Sequence, residues 1–93
     1  MKKIYYLYIL TNFTNTVFYI GVTNDLKSRV AQHKQGTVDS FTKRYKVHKL
    51  VYAEEYPNIN EAIRREKQLK NWHRQWKINL IKESNSNMLE IAL

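Results

Sequence analysis

Residues 3–22, KIYYLYILTNFTNTVFYIGV, decide the fold of this chain. β-Branched and aromatic side chains fill residues 3–10 and 17–22, and such runs are typical of β-strands. The connection between them is rich in threonine and asparagine, which favour turns. Two strands joined this closely predict an antiparallel hairpin. Gly21, inside the second run, indicates a place where another group approaches the backbone closely.

A helix is predicted over residues 25–34, directly after the hairpin. Thr23 and Asn24 are suitable N-cap residues, and Gly36 is suited to end the helix because glycine accepts the left-handed backbone conformation. Residues 35–44 are polar and basic, so they predict a loop.

The second half of the chain predicts one more strand and two more helices. The strand covers residues 49–56; a helix capped by Asn58 or Asn60 then ends near residue 70, and a third helix covers residues 72–83. The predicted order is β-β-α-β-α-α. This order indicates an α+β fold, in which a small, mostly antiparallel sheet of three strands is flanked by three helices.

The length of 93 residues predicts a single domain, placed here over residues 1–83, with a C-terminal tail over residues 84–93. The chain lacks cysteine, which excludes disulfides, thiolate zinc sites and a cysteine nucleophile. No apolar run approaches the ~20 residues that span a bilayer. The apolar N-terminal stretch lacks a small-residue cleavage site, so a signal peptide is rejected and a cytoplasmic location is expected.

The charge of the chain predicts a polyanionic partner. Sixteen Lys and Arg residues against eight Asp and Glu give a net charge of +8 and a pI near 9.8. Nucleic acid, an anionic membrane surface and an acidic protein would each satisfy this excess. A basic protein without a polyanionic partner would show the same composition.

Glu66 conflicts with a purely structural interpretation of the second predicted helix. On a helical wheel, it falls in the middle of the apolar arc. That arc is formed by Ile59, Ala62, Ile63, Leu69 and Trp72. An inward carboxylate is costly unless it is paired or bound to a metal. Two interpretations therefore stand: a buried salt bridge, or a metal ligand or general acid/base.

The first helix and the hairpin carry further polar groups of this kind. Arg29 and His33 are spaced i,i+4, so their side chains are neighbours on the helix surface. Tyr8 and Tyr19 are predicted to lie close together across the hairpin. A solvated helix edge and ordinary aromatic packing explain these pairs structurally. Together with Glu66, however, they form a set of groups suited to phosphodiester chemistry without cysteine.

The motifs Tyr6-Leu7-Tyr8 and Tyr19-Ile20-Gly21, followed by Arg29, His33 and Glu66, resemble the signature of the GIY-YIG endonuclease superfamily. The resemblance covers residues 3–83, and the chain is similar to the small stand-alone members of that superfamily. Three positions depart from the pattern. Tyr6 and Leu7 replace the first motif's glycine and isoleucine, and Val22 replaces a lysine that some relatives carry. Many relatives also carry an asparagine near the site late in the sequence, and Asn71 and Asn79 are the two candidates for it.

The resemblance implies hydrolysis of a phosphodiester bond with one Mg²⁺ or Mn²⁺ ion. It implies that Glu66 is the only protein ligand of that ion and that Arg29 binds the scissile phosphate. Tyr19 would activate or position the attacking water, Tyr8 would assist it, and His33 would support the proton network. Whether Tyr19 or His33 takes the proton stays open.

The expected partner is nucleic acid, with DNA as the expected substrate and no membrane. Predicted contacts with backbone phosphates are made by Lys43, Arg44, Lys46, Arg65 and Lys70. Phe41 and Tyr45 are candidates for stacking on unpaired bases, whereas core packing is favoured for Trp72 and Trp76. Because there is no room for a second DNA-binding domain, low sequence selectivity or recognition of a DNA structure is expected.

Two other functions stay open at this point. The first is a catalytically inactive nucleic-acid-binding module of the same fold. The second is a basic structural or interaction protein, in which replacing Glu66 changes stability and nothing else. The oligomeric state is not indicated, although the apolar end of the tail would allow packing on a partner.

Overall fold

The computed structural model describes residues 3–93 and contains one antiparallel sheet. The predicted hairpin is confirmed: β1 covers Tyr5–Thr11, β2 covers Phe18–Thr23, and the two strands pair antiparallel. Asn12 organises the turn, because its side-chain Oδ1 accepts hydrogen bonds from the backbone N–H of Thr16 at 2.8 Å and of Val17 at 3.1 Å. The first two residues of the predicted domain, Met1 and Lys2, lie outside the described residues.

β3 covers Lys49–Tyr56 and pairs with the other side of β1, so the strand order is β2-β1-β3. β1 is therefore the central strand, and side chains alternate between its two faces. Leu7 and Ile9 point to one face, and Tyr8 and Leu10 point to the other. Both faces of the sheet are covered, which explains why β1 is apolar throughout.

Four helices accompany the sheet. They are α1, Leu26–Gln35; α2, Ser40–Arg44; α3, Ile59–Lys70; and α4, Arg74–Ser84. The predicted α+β fold and its element order are confirmed, with α2 added. The loop prediction for residues 35–44 was wrong over α2, because capping rather than apolar periodicity supports this short helix. The Asp39 side chain accepts from the Phe41 backbone N–H at 2.7 Å.

The helix boundaries differ in detail from the prediction. The N-cap of α1 is Asp25, whose carboxylate accepts from the Ser28 backbone N–H at 3.2 Å. Thr23 and Asn24 were therefore wrong as caps. Gly36 ends α1 with φ 73°, in the left-handed conformation that favours glycine, and Asn58 caps α3.

The core has two layers, one on each face of the sheet. α3 and α4 cover the face of Leu7 and Ile9, and Leu69 and Ile81 are fully buried there. α1 covers the face of Tyr8 with Val30 and Leu26. Trp72 packs against the first layer as predicted. Trp76 is 53% exposed, so core packing was wrong for this residue.

The tail packs on the chain's own sheet. Met88 is buried in the layer of α3 and α4, and the Ile91 backbone N–H donates to the Leu50 carbonyl of β3 at 2.8 Å. The Asn85 side chain donates to the Val51 carbonyl at 3.1 Å. Two carbonyl groups of β3 are thus satisfied by residues of the predicted tail. Within residues 3–93, no helix is long and apolar enough to cross a membrane.

Candidate active site

The close approach expected at Gly21 is made by the Tyr8 side chain. Tyr8 pairs with Gly21 across the β1–β2 ladder. A Cβ atom on Gly21 would lie 2.5 Å from both the Cζ and the Oη atom of Tyr8. The phenol of β1 therefore lies over β2 at a residue that has no side chain, and glycine is required there by contact rather than by backbone angle.

A chain of hydrogen bonds leads inward from this phenol. The Tyr8 Oη lies 2.9 Å from His33 Nε2, and His33 Nδ1 lies 3.0 Å from Thr42 Oγ1. The Thr42 hydroxyl donates to the Asp39 backbone carbonyl at 3.0 Å. Because a hydroxyl has one hydrogen, this bond makes Thr42 the acceptor for His33 Nδ1–H. The network thus assigns Nε2 as the unprotonated ring nitrogen, which accepts from the Tyr8 hydroxyl.

Tyr19 lies over this buried pair. Its ring centroid is 6.2 Å from that of Tyr8 and 5.0 Å from that of His33. Tyr8 and His33 are fully buried, whereas Tyr19 is only partly buried. The predicted proximity of the two tyrosines is confirmed, and Tyr19 is the phenol of the pair that solvent reaches. A solvated helix edge was the wrong interpretation for His33.

The electrostatics keep all three groups neutral near pH 7. Burial raises the pKa of Tyr8 well above its usual value, with Tyr19 adding to the effect and Arg29 opposing it. Burial and the Asp39 carboxylate raise the pKa of Tyr19. Burial and the Arg29 charge lower the pKa of His33. A neutral imidazole is the form that the hydrogen-bond assignment requires.

Arg29 and Glu66 bring opposite charges to the same two phenols. Both charges act on the pKa values of Tyr8 and Tyr19, in opposite directions, because Arg29 lowers each pKa and Glu66 raises each. Glu66 faces inward, as the helical wheel predicts, but its side chain keeps 21% exposure. Its ion pair with Lys70, at 3.4 Å, is made to a side chain that is mostly exposed. A buried salt bridge therefore does not describe Glu66.

Asp39 and Thr42 belong to the site and were missed by sequence analysis. They lie in the stretch predicted as a loop. Thr42 is fully buried and contacts the His33 ring. Asp39 caps α2, and its charge raises the pKa values of Tyr19 and His33. The cap pattern at Asp39 was the available signal, since Asp followed by Ser and Phe is able to start a helix.

The Glu66 carboxylate suits a hard divalent cation that needs few protein ligands. Over residues 3–93, no group of three or more His, Asp or Glu side chains could enclose a metal ion. Mg²⁺ tolerates this, because it keeps several waters and binds through one or two carboxylates plus substrate phosphates. The partly exposed Glu66 carboxylate fits such an ion, whereas an enclosed zinc site would need more ligands.

The five predicted phosphate-binding residues lie in two places. Lys43, Arg44 and Lys46 are exposed and flank Thr42 on and after α2, so they share a segment with the site. Lys70 lies beside Glu66. The Arg65 guanidinium already pairs with the Glu54 carboxylate, with Nε 3.1 Å from Oε1, so a phosphate would compete with that pair. The phosphate-binding role of all five stays a prediction.

The antiparallel hairpin and the three-stranded sheet flanked by helices match the α+β fold of a GIY-YIG catalytic domain. The family model of the GIY-YIG catalytic domain matches residues 4–79, which is most of the chain. The chain therefore belongs to the GIY-YIG family.

Among particular proteins, this chain is similar to UPF0213 proteins. One from Staphylococcus haemolyticus is 35% identical over 79 residues, covering 85% of this chain and 95% of the relative. UPF0213 proteins of Staphylococcus aureus are 44% identical over 66 residues, covering 70% of this chain and 79% of theirs. The solution NMR structure of a UPF0213 protein from Bacillus halodurans has a TM-score of 0.58 at 27% identity, covering 90% and 88% of the two chains.

Proposed function

We propose that this chain is a divalent-metal-dependent endonuclease that hydrolyses phosphodiester bonds of nucleic acid, with DNA as the expected substrate. The observation that carries the proposal is the solvent-reachable Tyr19 phenol over the buried Tyr8–His33 pair, with the charges of Arg29 and Glu66 acting on it. Membership of the GIY-YIG family supports the same class of reaction.

Tyr19 is the group proposed to contact the attacking water. Its raised pKa means that it starts as a neutral phenol, so it needs an acceptor for its own proton. Asp39 is proposed as that acceptor, because its carboxylate is one of the groups that raise the pKa of Tyr19. As the Tyr19 oxygen takes a proton from water, its hydroxyl proton passes to Asp39. The water oxygen bonds to phosphorus, the bond from phosphorus to the leaving oxygen breaks, and the leaving oxygen keeps the electron pair and takes up a proton from solvent.

His33 is proposed to support this step through its hydrogen bond to Tyr8 and not to contact the attacking water. It has no exposed surface, and its Nε2 already accepts from Tyr8. The buried pair fixes the Tyr8 ring against which Tyr19 lies. The alternative of a direct His33 base would require Tyr8 to move away from the imidazole first.

Arg29 and Glu66 are proposed to hold the substrate phosphate and the ion. A guanidinium offers two parallel N–H donors, which match two phosphate oxygens. Glu66 would hold Mg²⁺ or Mn²⁺, with substrate phosphate completing the site. When bound, the ion would polarise the phosphate and stabilise the charge on the leaving oxygen.

The test is nicking of supercoiled plasmid and of labelled DNA with Mg²⁺, Mn²⁺ or EDTA. Tyr19→Phe, Arg29→Ala and Glu66→Gln are each expected to lose at least about 100-fold in rate, the lower range for removing a catalytic group. Glu61→Gln, an exposed glutamate on the same helix, is the matched control and should cut like wild type. Each variant is checked for folding by circular dichroism.

The competing function is a nucleic-acid-binding module without catalysis. It predicts no cutting by wild type under any metal, with binding that changes on addition of Mg²⁺ only as salt screening requires. The inward, partly exposed Glu66 near both phenols favours the enzyme, because a pure binder has no use for a carboxylate beside a phosphate site.

Two versions of the selectivity are proposed: the enzyme recognises a DNA structure, or it cuts DNA with low sequence selectivity. Matched branched and linear duplexes of the same base composition separate these versions. Faster cutting of the branched DNA supports structure selectivity, and equal rates on both leave only low sequence selectivity.

A further inference from the structure

Two exposed aromatic rings lie beside Tyr19 on the segment that carries Thr42. Phe41 is 40% exposed and Tyr45 is 44% exposed, and their ring centroids are 4.9 Å apart. The Phe41 ring lies 6.5 Å from the Tyr19 ring at an interplanar angle of 31°. A row of rings therefore runs from the buried Tyr8 through Tyr19 to the surface.

We propose that Phe41 and Tyr45 form a stacking subsite that holds an unpaired base of the substrate next to the scissile phosphate. This proposal rests on the endonuclease function proposed above. A polyanionic occupant is indicated by charge, because Lys43, Arg44 and Lys46 are exposed on the same short segment. The Arg44 guanidinium itself lies 5.5 Å from the centroid of the Tyr45 ring. An apolar protein partner would not call for three exposed cations on the segment that carries the two rings.

The geometry places the base close to the reacting bond. The Phe41 ring lies beside the Tyr19 ring, with centroids 6.5 Å apart. A base stacked on Phe41 would therefore belong to a nucleotide close to a phosphate held at Tyr19. The cations would then contact the phosphates that flank this base.

The base must be unpaired, because the bases inside a duplex already stack on their neighbours. Aromatic side chains bind base faces that single strands, flaps, loops and frayed ends present, and they do so with little regard to sequence. The subsite thus predicts a preference for single strands or for the unpaired side of a junction over continuous duplex.

The experiment measures binding in EDTA, so that no cutting intervenes. The probes are a single-stranded DNA oligonucleotide that contains 2-aminopurine, whose fluorescence falls on stacking, and a blunt duplex of the same length. Phe41→Ala is expected to lose about tenfold in affinity for the single strand and to lose most of the quenching. Its affinity for the blunt duplex should change less than twofold. Phe41→Trp should retain both signals, and Phe41→Leu, which is apolar but not aromatic, should not.

Phe13 provides the matched control, since it is 92% exposed and also lies among lysines, lining a surface pocket with Lys34, Lys46 and Lys49, but belongs to the β1–β2 turn rather than to the segment of Phe41 and Tyr45. Phe13→Ala should behave like wild type. Equal losses on single strand and duplex, or unchanged quenching in folded Phe41→Ala, would overturn the subsite. If wild type cuts DNA but Phe41→Ala binds normally, the subsite fails and the nuclease stands. If no DNA is cut but the binding contrast appears, the nuclease fails and the subsite stands.

Discussion

Gly21 on β2 has no side chain and so leaves room for the side chain of its partner on β1. The Tyr8 phenol fills that space, and a methyl carbon on residue 21 would lie 2.5 Å from the Cζ and Oη atoms, so the ring would have to shift. The ring cannot move aside freely, because Tyr8 is fully buried and bonded to His33. Small side chains in such places are therefore part of the site, although they carry no chemistry.

Gly21→Ala is expected to destabilise the fold by about 1–3 kcal/mol, the usual cost of overpacking. The measurement is urea unfolding of Gly21→Ala, Tyr8→Ala and the double variant. In the Tyr8→Ala background, Gly21→Ala should cost much less, because the colliding ring is absent. Equal costs in both backgrounds would show that the contact with Tyr8 is not the reason for the glycine.

Thr42 determines which nitrogen of His33 carries the proton. Thr42→Val keeps the shape of the side chain but removes the acceptor for His33 Nδ1–H, leaving a buried donor unpaired at a cost of about 1–3 kcal/mol. Ring ¹⁵N chemical shifts of His33 should show protonated Nδ1 in wild type and in Thr42→Ser, and a mixture of tautomers in Thr42→Val. An unchanged spectrum in Thr42→Val would remove Thr42 from the network.

At the scale of secondary-structure elements, α3 is fixed to β3 by one carboxylate. Glu54 accepts hydrogen bonds from the hydroxyls of Tyr52 and Tyr56 and from the Arg65 guanidinium. Burial opposes its ionisation, but the hydrogen bonds from Arg65, Tyr52 and Tyr56 lower the pKa of the Glu54 carboxyl overall. Arg65 precedes Glu66 in the chain, so this cluster also positions the proposed metal ligand.

Glu54→Gln is expected to cost about 1.5–3 kcal/mol at pH 7, the range for hydrogen bonds to a charged group. The folded-state pKa of Glu54 is depressed, so its contribution is complete above the ordinary glutamate pKa of 4.5 and disappears as the pH falls through the folded value. Denaturant unfolding at pH 7 and pH 3 should show the difference between wild type and Glu54→Gln shrinking in acid. Glu55→Gln, exposed on the same strand, is the control and should have little effect at either pH.

Sequence patterns predicted the elements that have apolar periodicity and missed the one that has none. The alternation along β1 predicted that Tyr8 and Tyr19 would meet, and the wheel of α3 predicted that Glu66 would face inward. α2 was missed because its buried residue, Thr42, is polar and contacts His33, which is 9 positions away in sequence. The site role of Asp39 depends on the same tertiary contact. Trp76 follows the apolar pattern of α4 but remains exposed, since the described structure places no layer over it.

At the scale of the whole molecule, the net charge of +8 should govern the salt dependence of nucleic-acid binding. Each phosphate contact contributes about 0.7 to the slope of log affinity against log salt for a single strand. Lys43→Gln and Lys46→Gln should each lower the magnitude of the slope by roughly that amount in EDTA. Lys27→Gln on α1 is the control. Identical slopes in all three variants would exclude the basic segment around α2 as the binding surface.

The tail is expected to contribute to stability as part of the core. Met88 is 5% exposed, so Met88→Ala should cost about 2–5 kcal/mol, whereas the neighbouring exposed Leu89→Ala should change stability by about 0.5 kcal/mol or less. Thermal unfolding of the two variants makes the comparison. Small and equal effects would instead favour a separate tail beginning at residue 84.

The contact between Tyr8 and Gly21 also restricts how this hairpin can change over generations of descent. A larger residue at position 21 costs least once position 8 has become smaller, and that first step removes the phenol from His33. Selection for the phenol therefore keeps position 21 at glycine, even though Gly21 takes part in no reaction. A lineage that no longer needs Tyr8 becomes free to vary at both positions, so loss of this glycine would mark a descendant that has abandoned the site.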